Sequence, residues 1–348
     1  MKPKLVMMVG LAGSGKSTFA ENFIQLNGGY IVSSDKIRGE LYGDENCQDN
    51  PSKVFEILEK RVKAHLRSGD NAVYDATNLS MKRRKAFLDG IKSIDCEKVC
   101  FIVATPFELC VEQDSKRDRK VGYNVIKRQR ENFQCPFFYE GWDKIILINE
   151  RAQDINYLDN LVRELKDVPH DNPHHEYPIG KHMIAAEEYC VRMASFALEL
   201  MNKEDTPEKD KPLYLKESEQ WIFLAVAAKY HDLGKKATKA FFDAKGNPSE
   251  VAHFYNHQNV SSYEIISHIG GGILDISNVP LYKENKLSLN YWLNIAVIVN
   301  WHMQPFFLKA ENPRQAEESK SWKKFINVVG EEIGALLIRF HMADLNAH

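Results

Sequence analysis

No stretch of the 348-residue chain stays apolar for the roughly 18 residues a helix needs to cross a bilayer. The longest candidate, WLNIAVIVNW at 292–301, reads as a core helix, so no membrane association is expected. The N-terminal LVMMV is too short for a secretory signal and runs straight into a glycine-rich loop, which makes it a strand. Cysteine is sparse and unpaired in pattern. The six residues at 47, 96, 100, 110, 135 and 190 form no CxxC, as expected of reduced thiols in a cytoplasmic protein. Internal repeats and low-complexity tracts are absent, and the net charge is only −2.

What is present is divided unevenly. The length exceeds what one core usually supports, so two domains are expected. Residues 1–150 hold 24 Lys+Arg against 21 Asp+Glu, whereas 151–348 hold 22 against 27. His65 is the one histidine of the first half; the other eleven follow residue 169. A basic half beside an acidic, histidine-rich one points to an anionic substrate in the first and a metal site in the second.

Short apolar runs at 4–10, 30–33, 71–75, 98–104 and 144–149 read as buried strands. Helical patterns lie between them, at 52–66 (capped by Ser52 or Asp49) and 80–94 (capped by Ser80). That alternation predicts an α/β domain over 1–166, a parallel sheet flanked by helices. The segment 167–180, with three prolines and a glycine, reads as a linker. Beyond it the strand signal disappears. Helices expected near 181–202, 217–233, 257–269, 288–303 and 328–346 predict an all-α domain over 181–348.

Gly10-Leu-Ala-Gly13-Ser14-Gly15-Lys16-Ser17-Thr18 follows a strand and opens a helix, the context a phosphate-binding loop requires. Backbone N–H groups close around phosphate oxygens there, Lys16 reaches the β/γ-phosphates of ATP, and Ser17 reaches Mg²⁺. SSDKIRG at 33–39 sits at a strand end, where Asp35 can take a proton from an attacking hydroxyl and Arg38 can hold an acceptor phosphate. An N-capping aspartate with a solvated arginine is the alternative. Asp75, in DATN, suits the Mg²⁺ shell. SKRDRKVGYNVIKRQR at 115–130 reads as a basic helical lid or as a solvated helix.

These four segments resemble the kinase domain of the phage-type 5′-OH polynucleotide kinases. The resemblance implies that Asp35 is the general base, that Arg38 binds the acceptor's phosphate, and that Arg117 is the lid arginine on ATP. A second lid arginine, frequent four residues earlier in that family, is Gln113 here. Donor contacts from the lid are therefore expected to be reduced or moved to Arg119.

In the second half, His231-Asp232 lies in FLAVAAKYHDLGKK, an apolar helix on which a buried charged pair is costly unless a metal compensates it. His182, His253, His257, His302 and Asp344 are the other candidate ligands. This order, with HDLGK, HFYNH and NWHM, resembles the HD phosphohydrolase superfamily. The resemblance implies one metal on His182, His231, Asp232 and Asp344, and a second on His257 and His302 with Asp232 bridging. The metal is left open among Mn²⁺, Ni²⁺, Co²⁺, Zn²⁺ and Fe. Lys235 is a candidate phosphate contact or a surface lysine, and His253 an alternative ligand or phosphate contact. His170, His174 and His175 are expected to bind no metal, although His175 is close enough in sequence to His182 to line the site.

Together the halves look like the bifunctional kinase–HD end-healing enzymes, kinase first. That implies ATP-dependent phosphorylation of 5′-OH ends of RNA or DNA and 2′,3′-phosphoesterase action, with a separate RNA ligase downstream. A small-molecule kinase fused to a nucleotide phosphohydrolase, and a nucleotide-operated regulator without turnover, are the other readings. Oligomeric state is left open.

Overall fold

The computed structural model describes residues 2–149, 156–173, 175–269, 273–276 and 289–347. Two compact units emerge: residues 1–153 with 267–278, and residues 154–266 with 279–348.

In the first unit, strands β1 (Lys4–Val9), β2 (Tyr30–Ser33), β3 (Ala72–Asp75), β4 (Glu97–Val103) and β5 (Lys144–Ile148) form a parallel sheet ordered β2-β3-β1-β4-β5. Their side chains run apolar without alternation because helices cover both faces; Leu5 to Val9 are all buried. Sequence order reverses beside β1, so the strand ends Gly10, Ser33 and Asp75 gather where open α/β sheets bind ligands. Ser33 and Asp75 are register partners.

Local expectations hold with small corrections. The helix Pro51–Arg67 is capped by Asn50, at φ 40, whose side chain accepts from Lys53 N, rather than by Ser52 or Asp49. Ser80 occupies the N-cap of Met81–Asp89 but makes no side-chain cap bond. A buried ion pair braces the loop after β3. Arg84 Nε and NH2 meet Glu140 at 2.8 and 2.6 Å, and Arg84 NH1 donates to Asn78 O at 2.9 Å. Asn78 in turn donates to Met8 O on β1, 2.8 Å away.

The second unit is mainly helical. Ile179–Asn202 and Lys211–Tyr230 pack along their lengths, with Ala186, Cys190, Ala194 and Ala197 giving the first helix a small-residue face. Further helices are His257–His268, Leu289–Trp301, Lys320–Val329 and Glu331–Leu345. The all-helical expectation misses a hairpin, β6 (Lys239–Phe242) with β7 (Pro248–Phe254). Its turn is held by Asp243 accepting from the backbone of Lys245 and Asn247, 2.8 Å each. A further strand, β8 (Ile273–Ile276), pairs antiparallel with β5 and so belongs to the first unit.

Candidate functional site

Each unit carries its own cluster of candidate functional side chains. In the first, Gly13 has φ +77, and a Cβ there would strike the Cys110 carbonyl oxygen; a Cβ on Gly10 would lie 2.5 Å from Val103 O. The loop therefore accepts only glycine at both turns. Ser14 is buried and its Oγ has no hydrogen-bond partner, while its carbonyl accepts from Thr105 Oγ1 at 2.8 Å. Gly15 caps the helix Lys16–Asn27. Lys16 is buried with Nζ 2.5 Å from Leu11 O, and burial lowers its pKa against the pull of Asp75. Ser17 and Thr18 are exposed on the first turn. Ser17 Oγ donates to Asp75 Oδ2 at 3.3 Å, and burial raises the Asp75 pKa against Lys16. Hydroxyl and carboxylate oxygens side by side suit Mg²⁺.

Asp35 opens the helix Ser34–Tyr42. Its Oδ1 meets buried Arg38 NH1 at 2.7 Å, and its Oδ2 meets Arg119 NH1 at 2.8 Å. The basic run 115–130 is not one helix. Phe107–Ser115 and Tyr123–Glu131 are separated by a turn, because the buried Asp114 carboxylate accepts from Val121 N at 3.1 Å and Gly122 N at 2.9 Å. Arg117 and Arg119 both ride on that turn. Arg117 is exposed.

The second cluster brings together six residues from five helices. His182 lies in the first turn of Ile179–Asn202, and His231-Asp232 directly follows Lys211–Tyr230. His257 begins its helix, His302 directly follows Leu289–Trp301, and Asp344 lies in the last turn of Glu331–Leu345. His182 Nε2 is 2.8 Å from Asp344 Oδ1, and His231 Nε2 is 3.2 Å from both Asp344 Oδ1 and Asp232 Oδ2. His257 Nε2 is 3.2 Å from Asp232 Oδ1 and 3.3 Å from His302 Nε2.

The opposite ring nitrogens decide what these imidazoles present. Nδ1 of His182, His231, His257 and His302 faces the carbonyl oxygens of Ala347, Ala228, Phe254 and Val299 at 3.2, 2.7, 2.8 and 2.7 Å. With Nδ1 held outward on a carbonyl, every Nε2 is directed inward, where a cation could replace the proton it shares with a carboxylate, the orientation metal-binding histidines adopt. His231 Nε2 and both Asp232 oxygens are buried with no well-directed hydrogen bond. Burial opposes charge on His231, yet the Asp232 and Asp344 carboxylates outweigh it and push it up to about 10. The donor set fits a divalent transition cation, and two overlapping ligand groups share His231: His182, His231 and Asp344, and His231, Asp232 and His302.

Lys235 is buried rather than on the surface, with Nζ 2.7 Å from Asp232 Oδ2. The same ammonium contacts His170 Nε2 at 3.0 Å and His175 Nε2 at 3.3 Å, and the two rings stack 4.0 Å apart. These histidines thus line the cluster. The sequence signalled this only for His175, by its nearness to His182, and not for His170. His174 lies outside the described residues. His253 is not brought into the cluster: it sits on β7, 3.0 Å from Ser249 Oγ and stacked on Tyr255.

Residues 5–136 match the model of a family described as an AAA domain. Among curated proteins, the chain is 23% identical over 175 residues to the L-seryl-tRNA(Sec) kinase of Methanococcus maripaludis, covering 47% of this chain and 65% of that protein. It is 27% identical over 155 residues to the "Putative bifunctional polynucleotide phosphatase/kinase" of Acanthamoeba polyphaga mimivirus, covering 41% and 32%. The chain thus spans less than two thirds of either relative. An adenylate kinase of Nautilia profundicola is 26% identical over 190 residues, covering 47% and 97%. A solved chain of the Pnkp1/Rnl/Hen1 RNA repair complex is 28% identical with a TM-score of 0.32, covering 36% of this chain and 42% of its own. The first unit is a P-loop domain of kinase type, and these three curated relatives are kinases. Among the described residues no helix is long and apolar enough to cross a membrane, and all six cysteines are free.

Proposed function

We propose that the chain heals nucleic-acid ends: an ATP-dependent 5′-OH polynucleotide kinase followed by an HD-type, metal-dependent 2′,3′-phosphoesterase. The reading rests on one observation above all. A phosphate-binding loop with Asp35, Arg38 and Asp75 at neighbouring strand ends shares a polypeptide with four imidazoles whose Nε2 atoms are directed at two carboxylates. A polynucleotide phosphatase/kinase among the relatives supports it.

In the kinase, Mg²⁺ on Ser17, Asp75 and the ATP oxygens would supply charge for the transferring phosphoryl group. Lys16 binds the β/γ-phosphates, and Arg117 approaches them from the lid. Asp35 takes the proton of the 5′-hydroxyl as the new O–P bond forms, the γ-phosphorus–oxygen bond breaks and ADP leaves. In the second unit, His182, His231, Asp232 and Asp344 would hold one cation, and His257 and His302 another with Asp232 between. Cations bound there supply Lewis acidity and lower the pKa of water. Lys235, beside Asp232, binds a substrate phosphate oxygen.

The test is incubation of a labelled RNA oligonucleotide bearing 5′-OH and 2′,3′-cyclic phosphate with ATP and a panel of divalent metals, both ends then being analysed. Gain of 5′-phosphate and opening of the cyclic end are expected. No change at either end defeats the proposal. A small-molecule kinase joined to a nucleotide phosphohydrolase is favoured by the near balance of charge in residues 1–150. Oligonucleotide phosphorylation falling steeply with ionic strength, and nucleoside phosphorylation barely, separates the two.

A further inference from the structure

In the loop between β3 and the helix Met81–Asp89, one side chain ties two strands together beside the kinase site. Asn78 sits at φ 48, in the left-handed region that asparagine tolerates better than most residues. From there its Nδ2 donates to Met8 O on β1 at 2.8 Å, and lies 3.5 and 3.4 Å from Tyr74 O and Ala76 O at the end of β3. The backbone around it is held as well. Arg84 NH1 donates to Asn78 O at 2.9 Å, and Gly10 N donates to Thr77 O at 3.1 Å. Two groups of the kinase site flank this tie. Gly10 opens the phosphate-binding loop, and Asp75, three residues before Asn78, is buried with Oδ2 3.3 Å from Ser17 Oγ.

Resting on the kinase reading above, we infer that Asn78 is a positioning residue for Mg²⁺. It fixes the span between the phosphate-binding loop and Asp75, so that the Ser17 hydroxyl and the Asp75 carboxylate are set apart correctly before the cation arrives. Neighbouring strands twist relative to one another, so their ends diverge unless something joins them. Past the register pair Met7 with Tyr74, β1 and β3 are joined by the Gly10–Thr77 bond and by the Asn78 amide. Ser17 and Asp75 lie just beyond, one on each side of that junction. Mg²⁺ accepts little departure from octahedral geometry, so oxygens on separate elements bind it well only when their separation is preset. The Arg84–Glu140 pair, through the Asn78 carbonyl, anchors the same loop in the core.

The test is calorimetric binding of ATP to the full chain, with and without Mg²⁺, beside the Mg²⁺ dependence of phosphorylation. Asn78→Gly removes the amide but leaves a backbone that adopts positive φ freely, so folding is spared the strain that Asn78→Ala would add. It should weaken binding of ATP with Mg²⁺ about five- to tenfold, the net worth of an ordinary hydrogen bond, and change binding of ATP alone by less than about twofold. The Mg²⁺ concentration for half-maximal phosphorylation should rise in step. Asn71→Ala is the control. Asn71 ties the opposite end of the same sheet, accepting from Lys4 N at 2.9 Å and donating to Asn27 O at 3.0 Å. Its loss should lower the unfolding midpoint and leave both ATP affinities unchanged. The inference is overturned if Asn78→Gly weakens ATP equally with and without Mg²⁺, if it changes neither, or if Asn71→Ala reproduces the Mg²⁺ effect. A protein whose Mg²⁺-dependent ATP binding falls in Asn78→Gly, yet which phosphorylates no 5′-OH end, supports the positioning role and sinks the polynucleotide kinase reading instead.

Discussion

Nε2 of His257 lies 3.3 Å from Nε2 of His302, with the other nitrogen of each ring on a backbone carbonyl. Two imidazole lone pairs at that distance repel unless a positive charge lies between them. A proton on His302 is a poor solution, because burial and the neighbouring His231 push its pKa down to about 3. A metal cation is the better one. His257→Ala or His302→Ala should therefore lower the metal content of the purified protein, read by mass spectrometry, and the phosphoesterase rate by at least about a hundredfold. Full metal content in both variants would remove them as ligands.

The stability of chelated protein should depend on pH in two directions. Burial lowers His170 to about 4 and His175 and His302 to about 3, so between pH 3 and 6.5 the unfolded chain binds more protons at these rings. His231, raised to about 10, works the other way, its contribution being lost as pH rises from 6.5 through 10. The melting temperature should climb from pH 4 to pH 6.5 and fall from there to pH 10. A curve flat across both intervals contradicts the arrangement.

Lys16→Ala should abolish phosphorylation, and Asp35→Ala should slow it by about 10²–10⁴, the usual loss for a general base. Steady-state kinetics near wild type for Asp35→Ala would remove it from that role.

Glu140→Ala strands the Arg84 guanidinium in the core, where both side chains are almost fully inaccessible. Leaving a buried charge unpaired costs about 3–5 kcal/mol. Denaturant unfolding followed by the fluorescence of Trp142, whose Nε1 donates to Glu140 at 3.1 Å, should show that loss. A cost below about 1 kcal/mol, the level of an exposed pair, would show that the pair does not brace the loop.

The five parallel strands were legible because each is a continuous apolar run with both faces covered. The phosphate-binding loop was legible because its glycines answer to local geometry. The hairpin β6–β7 escaped because half of its side chains face solvent, although DAKGN between KAFF and the run ending at Phe254 is a turn signal of the expected kind. His170 and His175 follow no local pattern; only the folded position of Lys235 draws them to Asp232. Likewise the spacing along 115–130 could not tell Arg117 from Arg119, since the intervening turn depends on Asp114, outside the basic run.

The central claim is that one chain carries two phosphoryl-processing sites that work separately. The direct measurement is both-end analysis of RNA bearing 5′-OH and 2′,3′-cyclic phosphate after reaction with Lys16→Ala and with Asp232→Ala protein. Lys16→Ala should open the cyclic end and leave the 5′ end unphosphorylated; Asp232→Ala should do the reverse. Loss of both activities in a well-folded single variant, or retention of the phosphoesterase in Asp232→Ala, would contradict the account.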